Sequence, residues 1–227
     1  MKKRMVVAWM LLLVTAAVAQ SPKMQEKLMA IKQNMADNKQ KLAQYSWTET
    51  ETISIKGEVK DTKVYQVQMV NGQQQKTEVN NEQAQQGGRE GRLKKRAVEH
   101  VTGEYQQYGQ QISALAKQYL PPDGEKIMQA KQQGNLSLTP GAGTISLVIK
   151  NYAKPGDTMT LTINDQTKQP VGLTVNSYLN DPKDAVNISA QFAQLPDGTN
   201  HVASTTVDGV SKHLTVNDQN SNYQKTM

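Results

Sequence analysis

The sequence predicts an α+β fold, a large curved antiparallel sheet with helices packed on or lidding its concave face. Three observations lead there. Two long stretches repeat apolar residues every three or four positions, many shorter stretches alternate with a period of two, and residues with turn chemistry separate the short ones. No helix alternates with single strands, so a parallel Rossmann or barrel enzyme fold is not expected.

Residues 1–19 read as a secretory leader. Lys2, Lys3 and Arg4 give a positive start, an apolar run extends from Met5 to Val14, and Ala17-Val18-Ala19 is a small-residue cleavage site. The run is too short for a permanent membrane span. There is no cysteine, so no lipid anchor is expected and the fold has to hold without disulfides. Residues 20–227 are then one domain, periplasmic or secreted and soluble after cleavage near Ala19-Gln20. Three of the 26 basic residues leave with the leader, which lowers the net charge from +6 to +3. That balance, together with export, argues against a nucleic-acid partner. With a single Phe, the core has to come from Val, Ile, Leu, Met and Tyr.

The first helix is expected over 22–45, where Met24, Leu28, Ile31, Met35, Leu42 and Tyr45 make a narrow apolar stripe. Pro22 suits its first turn. Period two begins at Ser46: strands run over 46–56 and 59–70 around Gly57, and Asn71-Gly72 turns the chain into 73–79. Tyr65, Val67 and Met69 share one face of the second strand, with Gln66 and Gln68 on the other. Residues 80–92 form a polar, Gly-containing loop. A second helix follows over 93–119, with Ala97, Val101, Tyr105, Tyr108, Ile112, Leu115 and Tyr119 in phase until Pro121-Pro122 stops it. A short helix over 123–133 ends at Gly134, a suitable C-terminal cap.

From 135 onward an antiparallel meander is expected, with strands 144–152, 157–163, 170–178, 185–193, 200–207 and 211–216. The segments between them, such as Lys154-Pro155-Gly156-Asp157 and Pro196-Asp197-Gly198, carry turn chemistry. Met159, Leu161 and Ile163 oppose Thr158, Thr160 and Thr162, while Val186, Ile188, Ala190 and Phe192 share another dry face. About nine strands curl towards a barrel, which the helices would plug or lid.

This order of elements, with segments 157–178 (DTMTLTINDQTKQPVGLTVNSY) and 186–198 (VNISAQFAQLPDG), resembles the lipoprotein-localisation (Lol) carrier superfamily of Gram-negative envelopes. The resemblance implies a half-open antiparallel barrel whose apolar cavity shelters lipid chains crossing the periplasm. The chain departs from that family in lacking an Arg-Pro-containing strand after the first hairpin, so no cavity arginine transfers. It is also similar to a group of uncharacterised secreted bacterial proteins with a basic helix and Pro-Pro-Asp and Lys-Pro-Gly-Asp patterns, a likeness that implies no function.

No motif for catalysis, for a cofactor or for a metal is found. Glu99 and Glu104 flank His100 without a metal-binding spacing, and His201 and His213, which could face each other across a hairpin, are read as solvated strand residues. Gly141-Ala142-Gly143 is a turn. Glu49 and Glu51 alternate with Thr48, Thr50 and Thr52 and are expected to face water. Tyr45 and Trp47 read as a core corner, or alternatively as the rim of a ligand mouth. Arg89, Arg92, Lys94, Lys95 and Arg96 stand where cations oppose the helix dipole. They read as a solvated loop or as a patch for anionic headgroups, an acidic partner or an anionic membrane surface.

The expected function is a non-catalytic carrier for an apolar ligand, a lipid or a lipoprotein acyl chain, without a cofactor. Lining candidates are Tyr65, Val67, Met69, Tyr108, Ile112, Leu161, Ile163, Leu173 and Val175, all of which are also core candidates. The competing expectation is an envelope interaction or assembly protein with a filled interior. A cavity of roughly 300 Å³ or more separates the two.

Overall fold

The computed structural model describes residues 22–79 and 92–226. The expected leader lies outside them. In chain order the elements are α1 (Pro22–Leu42), β1 (Tyr45–Ile55), β2 (Glu58–Val70), β3 (Gln73–Glu78), α2 (Arg92–Ala116) and α3 (Gly124–Gln132). Then follow β4 (Leu136–Pro140), β5 (Thr144–Lys150), β6 (Thr158–Asn164), β7 (Pro170–Tyr178), β8 (Ala185–Gln194), β9 (Asn200–Gly209) and β10 (Leu214–Lys225).

All ten strands join one antiparallel sheet in the order β3-β2-β1-β10-β9-β8-β7-β6-β5-β4. The edges β3 and β4 are not joined, so the sheet stays open, an α+β half-barrel. The N-terminal strands attach to the last strand through β1 and β10. After β3 the chain has to reach the opposite edge. The segment carrying α2 and α3 makes that crossing over the inner face, with α2 against β9 and β10 and α3 against β4 and β5. α1 lies against α3 and β9.

The strand register explains where the core sits. One inner row runs Leu138, Leu147, Leu161, Leu173 and Ala190 across β4 to β8. A parallel row runs Ile149, Met159, Val175, Ile188, Val207, Val216 and Ile53. Onto these rows α1 sets Leu28 and Ile31, α2 sets Ile112 and Leu115, and α3 sets Ile127, all buried. Burial of each such side chain stabilises by about 1.5–3 kcal/mol, and this supplies the core that disulfides do not.

Tyrosines pin the crossing segment. Tyr108 on α2 donates to Asp184 Oδ1 at 2.9 Å and meets Ser211 Oγ at 3.0 Å. Tyr119 is fully buried and donates to Asp157 Oδ2 at 2.6 Å. Asp157 also accepts the backbone N–H groups of Tyr152, Ala153 and Lys154, so one carboxylate ties a loop to the helix segment. Asp123 caps α3, accepting from Glu125 N at 2.8 Å, and its own N–H donates to Tyr152 Oη.

Two strand expectations change. The meander gains β4, and β10 runs from Leu214 to Lys225 instead of over 211–216, because Val210–Lys212 form a 3-10 turn. The added length is polar, so no apolar alternation marks it. It is a strand because its backbone pairs with β1 along the whole of that strand. The helices end earlier than the apolar spacing implied, α1 at Leu42 and α2 at Ala116. Asn71 (φ 52°) and Gly72 (φ 77°) form the expected left-handed hairpin turn.

Candidate functional site

The helices rest on the β4–β10 side of the sheet. Between α1, α2 and the inner face of β1, β2, β9 and β10 there is an open cleft of about 2110 Å³. Ile53, Ile55, Leu214, Val216 and Val207 give it an apolar floor, and Leu120, Phe192 and Val202 add to its walls. Met35 and Leu42 of α1 and Tyr105 and Ala114 of α2 face them.

The first inner row changes character as it enters this cleft. After Ala190 it continues through Thr205, Asp218, Glu51 and Lys63. In the adjacent row Glu49 lies between Asn220 and Tyr65. Glu49, Glu51 and Asp218 thus bring one carboxylate oxygen each to within 4.8 Å of one another. Among the described residues no other group of three acidic or histidine side chains is this close.

The expectation that Glu49 and Glu51 face water is corrected. Glu49 is 4% exposed, Glu51 is half-buried, and both line the cleft. The face that turns inward is the opposite one: Trp47, Glu49, Glu51, Ile53 and Ile55 line the cleft, and the alternating threonines do not.

Charge compensation in this cluster is uneven. Lys76 of β3 forms an ion pair with Glu49. Asp218 Oδ1 is buried and has no hydrogen-bond partner. Burial, then the negative charge of Glu49, pushes the Asp218 carboxyl up to about 7, against smaller opposing effects of Lys76 and Lys117. Glu51 is raised by burial as well, with Lys76 opposing and Glu49 reinforcing. Tyr65 is pushed up to about 12 by burial and the nearby Glu51, Glu78 and Glu49.

At one end of the cleft an aromatic group closes the wall. Tyr223 stacks on Trp47 (centroids 5.4 Å apart, 18° between planes), and His201 lies 4.2 Å from Tyr223. A β-bulge makes this possible. Asn222 has φ 55°, and the register shifts between Ser46 and Thr48. The extra residue inverts the alternation of β10, bringing Tyr223 to the side of Trp47. His201 is 8% exposed, not solvated, and burial lowers its pKa, which favours the neutral ring. His213 stands in the left-handed turn before β10, at the opposite end of the β9–β10 hairpin, so the two histidines do not face each other.

No family model matches the chain, and no curated protein matches it. Among solved structures it is similar to a LolA superfamily protein from Nitrosomonas europaea, with a TM-score of 0.42 and 7% identity over 88% of this chain and 94% of that one. It is also similar to a DUF1329 family protein from Desulfovibrio piger, with a TM-score of 0.39 and 8% identity over 89% and 93%.

Of the nine lining candidates, Tyr65 and Met69 line the cleft. Val67 is buried in β2, while Tyr108, Ile112, Leu161, Ile163, Leu173 and Val175 belong to the packed core. The basic cluster of Arg89, Arg92, Lys94, Lys95 and Arg96 lies outside the residues whose side chains are described. Glu49, Glu51 and Asp218 were not among the candidates. The apolar residues flanking the two glutamates at even spacing were the available signal, whereas nothing local marks Asp218.

Proposed function

We propose that this protein is a non-catalytic carrier or binding protein for an apolar ligand of the acyl-chain type, exported by its leader to act in the periplasm. The supporting observation is the open cleft of about 2110 Å³ with its apolar floor. It exceeds the roughly 300–1,000 Å³ of pockets for drug-sized ligands and so suits an extended chain or several chains. Each CH₂ withdrawn from water contributes about 0.8 kcal/mol, and such a surface supplies that gain without covalent chemistry. The reading extends to lipid and lipoprotein acyl chains as cargo, with the basic cluster at 89–96 as a contact for anionic headgroups.

The test is native mass spectrometry on protein exported through its own leader and purified without detergent, followed by solvent extraction. Stoichiometric co-purifying lipid or lipoprotein is expected. A clean ligand-free mass, with no uptake of added phospholipid, would instead favour an envelope interaction protein.

A further inference from the structure

We propose that the cleft takes up a proton together with its apolar ligand, on the carboxylates of Asp218 and Glu51 beside the Lys76-paired Glu49, and therefore holds an acyl chain more tightly below neutral pH than above it. This rests on the carrier reading and adds its regulation.

The geometry is a charged interruption in an apolar wall. Two neighbouring strands, β1 and β10, supply three carboxylates whose oxygens lie within 4.8 Å of one another. They sit directly beside the row that carries Val207, Val216 and Ile53. Three anions at this spacing repel, and a proton held among them relieves the repulsion.

The surrounding groups do not neutralise the set. From β2, Lys63 opposes the rise of Glu51 while its ion-pair partner Asp61 reinforces it, and Tyr65 is an uncharged phenol. From β3, Lys76 is committed to Glu49, and Glu78 adds a further negative charge near Tyr65. From α2, Lys117 acts on Asp218, but more weakly than the burial that opposes ionisation. Lys39 of α1 and His201 of β9 line the same cleft, burial favouring the neutral imidazole, and Tyr223 of β10 is a phenol that burial and Glu49 keep uncharged. Asp218 Oδ1 remains without a partner. The raised carboxyl of Asp218, at about 7, agrees with this arrangement.

An acyl chain laid along the wall removes the remaining water from the cluster. Loss of water penalises the charged form, so the loaded cleft binds its proton more firmly than the empty one. By linkage, a ligand that favours the protonated wall weakens as pH rises past the titration of the empty cleft, by up to about tenfold per pH unit for one proton.

The experiment uses the methyl ester of a pyrene-labelled fatty acid, a probe uncharged at every pH. Its affinity is measured from about pH 5.5 to about pH 8.5, and its binding heat near pH 7 is measured in two buffers of different ionisation enthalpy. The affinity is expected to fall at least about tenfold across that range, with buffer-dependent heat reporting proton uptake. Asp218→Asn should bind with the low-pH affinity throughout. Glu51→Gln, a second near-isosteric change, should move the transition to lower pH, because Asp218 loses an anionic neighbour.

Equal affinity at both ends of the range without proton uptake would overturn the proposal and leave the carrier reading standing. Affinity that rises with pH would overturn it too. No binding at any pH would remove the carrier reading and this inference with it.

Discussion

Replacing Asp218 by Asn removes a buried charge from the cleft wall while keeping its shape, and it should stabilise the protein above neutral pH. The carboxyl of Asp218 rises from an ordinary 3.8 to about 7 in the folded chain. A raised carboxylate penalises folding wherever the unfolded chain has already ionised. The penalty is absent below about pH 4, grows as pH rises towards 7 and stays constant above. That rise from 3.8 to about 7, at about 1.4 kcal/mol for each factor of ten in the ionisation constant, sets a ceiling of about 4 kcal/mol. The neighbouring carboxylates share the titration and residual water screens it, so about 1–3 kcal/mol is the expected gain. Urea denaturation followed by Trp47 fluorescence, for wild type and variant at about pH 4.5 and pH 8, reads the difference. Taking the difference between the two proteins cancels carboxylates such as Asp165, which its lysine partners Lys168 and Lys27 hold below the ordinary range. A stability difference that is the same at both pH values would refute the reasoning, as would a variant less stable than wild type at pH 8.

Other positions test the remaining links. A Cβ on Gly209 would stand 2.4 Å from Tyr108 Cε1 and 2.8 Å from its Oη, so Gly209→Ala has to displace the ring that pins α2, costing about 1–3 kcal/mol by thermal melting. Tyr119→Phe leaves the buried Asp157 and Ser177 without their shared phenol, and a loss of about 1–3 kcal/mol in urea unfolding is expected. Ile53→Asp on the cleft floor should weaken binding of a neutral acyl ester by on the order of tenfold or more while the protein stays folded. Leu161→Ala in the packed core should do the reverse, costing about 2–5 kcal/mol of stability and leaving that binding near its wild-type value.

Where the amino acids alternate, the fold was legible. Met159, Leu161 and Ile163 against Thr158, Thr160 and Thr162 gave β6 its inner and outer faces, and Asn71-Gly72 gave the hairpin turn at its position. The Lol-type resemblance anticipated an open sheet with helices on its inner face. What remained hidden was decided by pairing between distant segments. The polar end of β10 becomes a strand through β1, far earlier in the chain, as the pairing of Ser46 with Gln224 illustrates. The bulge at Asn222 that brings Tyr223 beneath Trp47 has no signal in alternation, since its effect is to break it.

The candidate site was less legible for the same reason. Leu161, Leu173 and Val175 share a face and a chemistry with true cleft residues, and only the position of α2 over β9 and β10 determines which parts of the sheet are filled and which are open. Glu49 and Glu51 looked solvated because charged residues usually are. Their neighbour Asp218 arrives from the far end of the chain, so the cluster exists only once β1 and β10 are paired.

The central claim, that an acyl chain occupies the cleft, is tested most directly at Trp47, which lines it and is the one tryptophan after residue 19. Titrating the processed protein with an acyl ester brominated along its chain should quench Trp47 fluorescence saturably, reaching its limit at a fixed ester-to-protein ratio. The unbrominated ester should compete the quenching away. Quenching no greater than that of free indole in the same solution, or quenching that never saturates, would contradict the account.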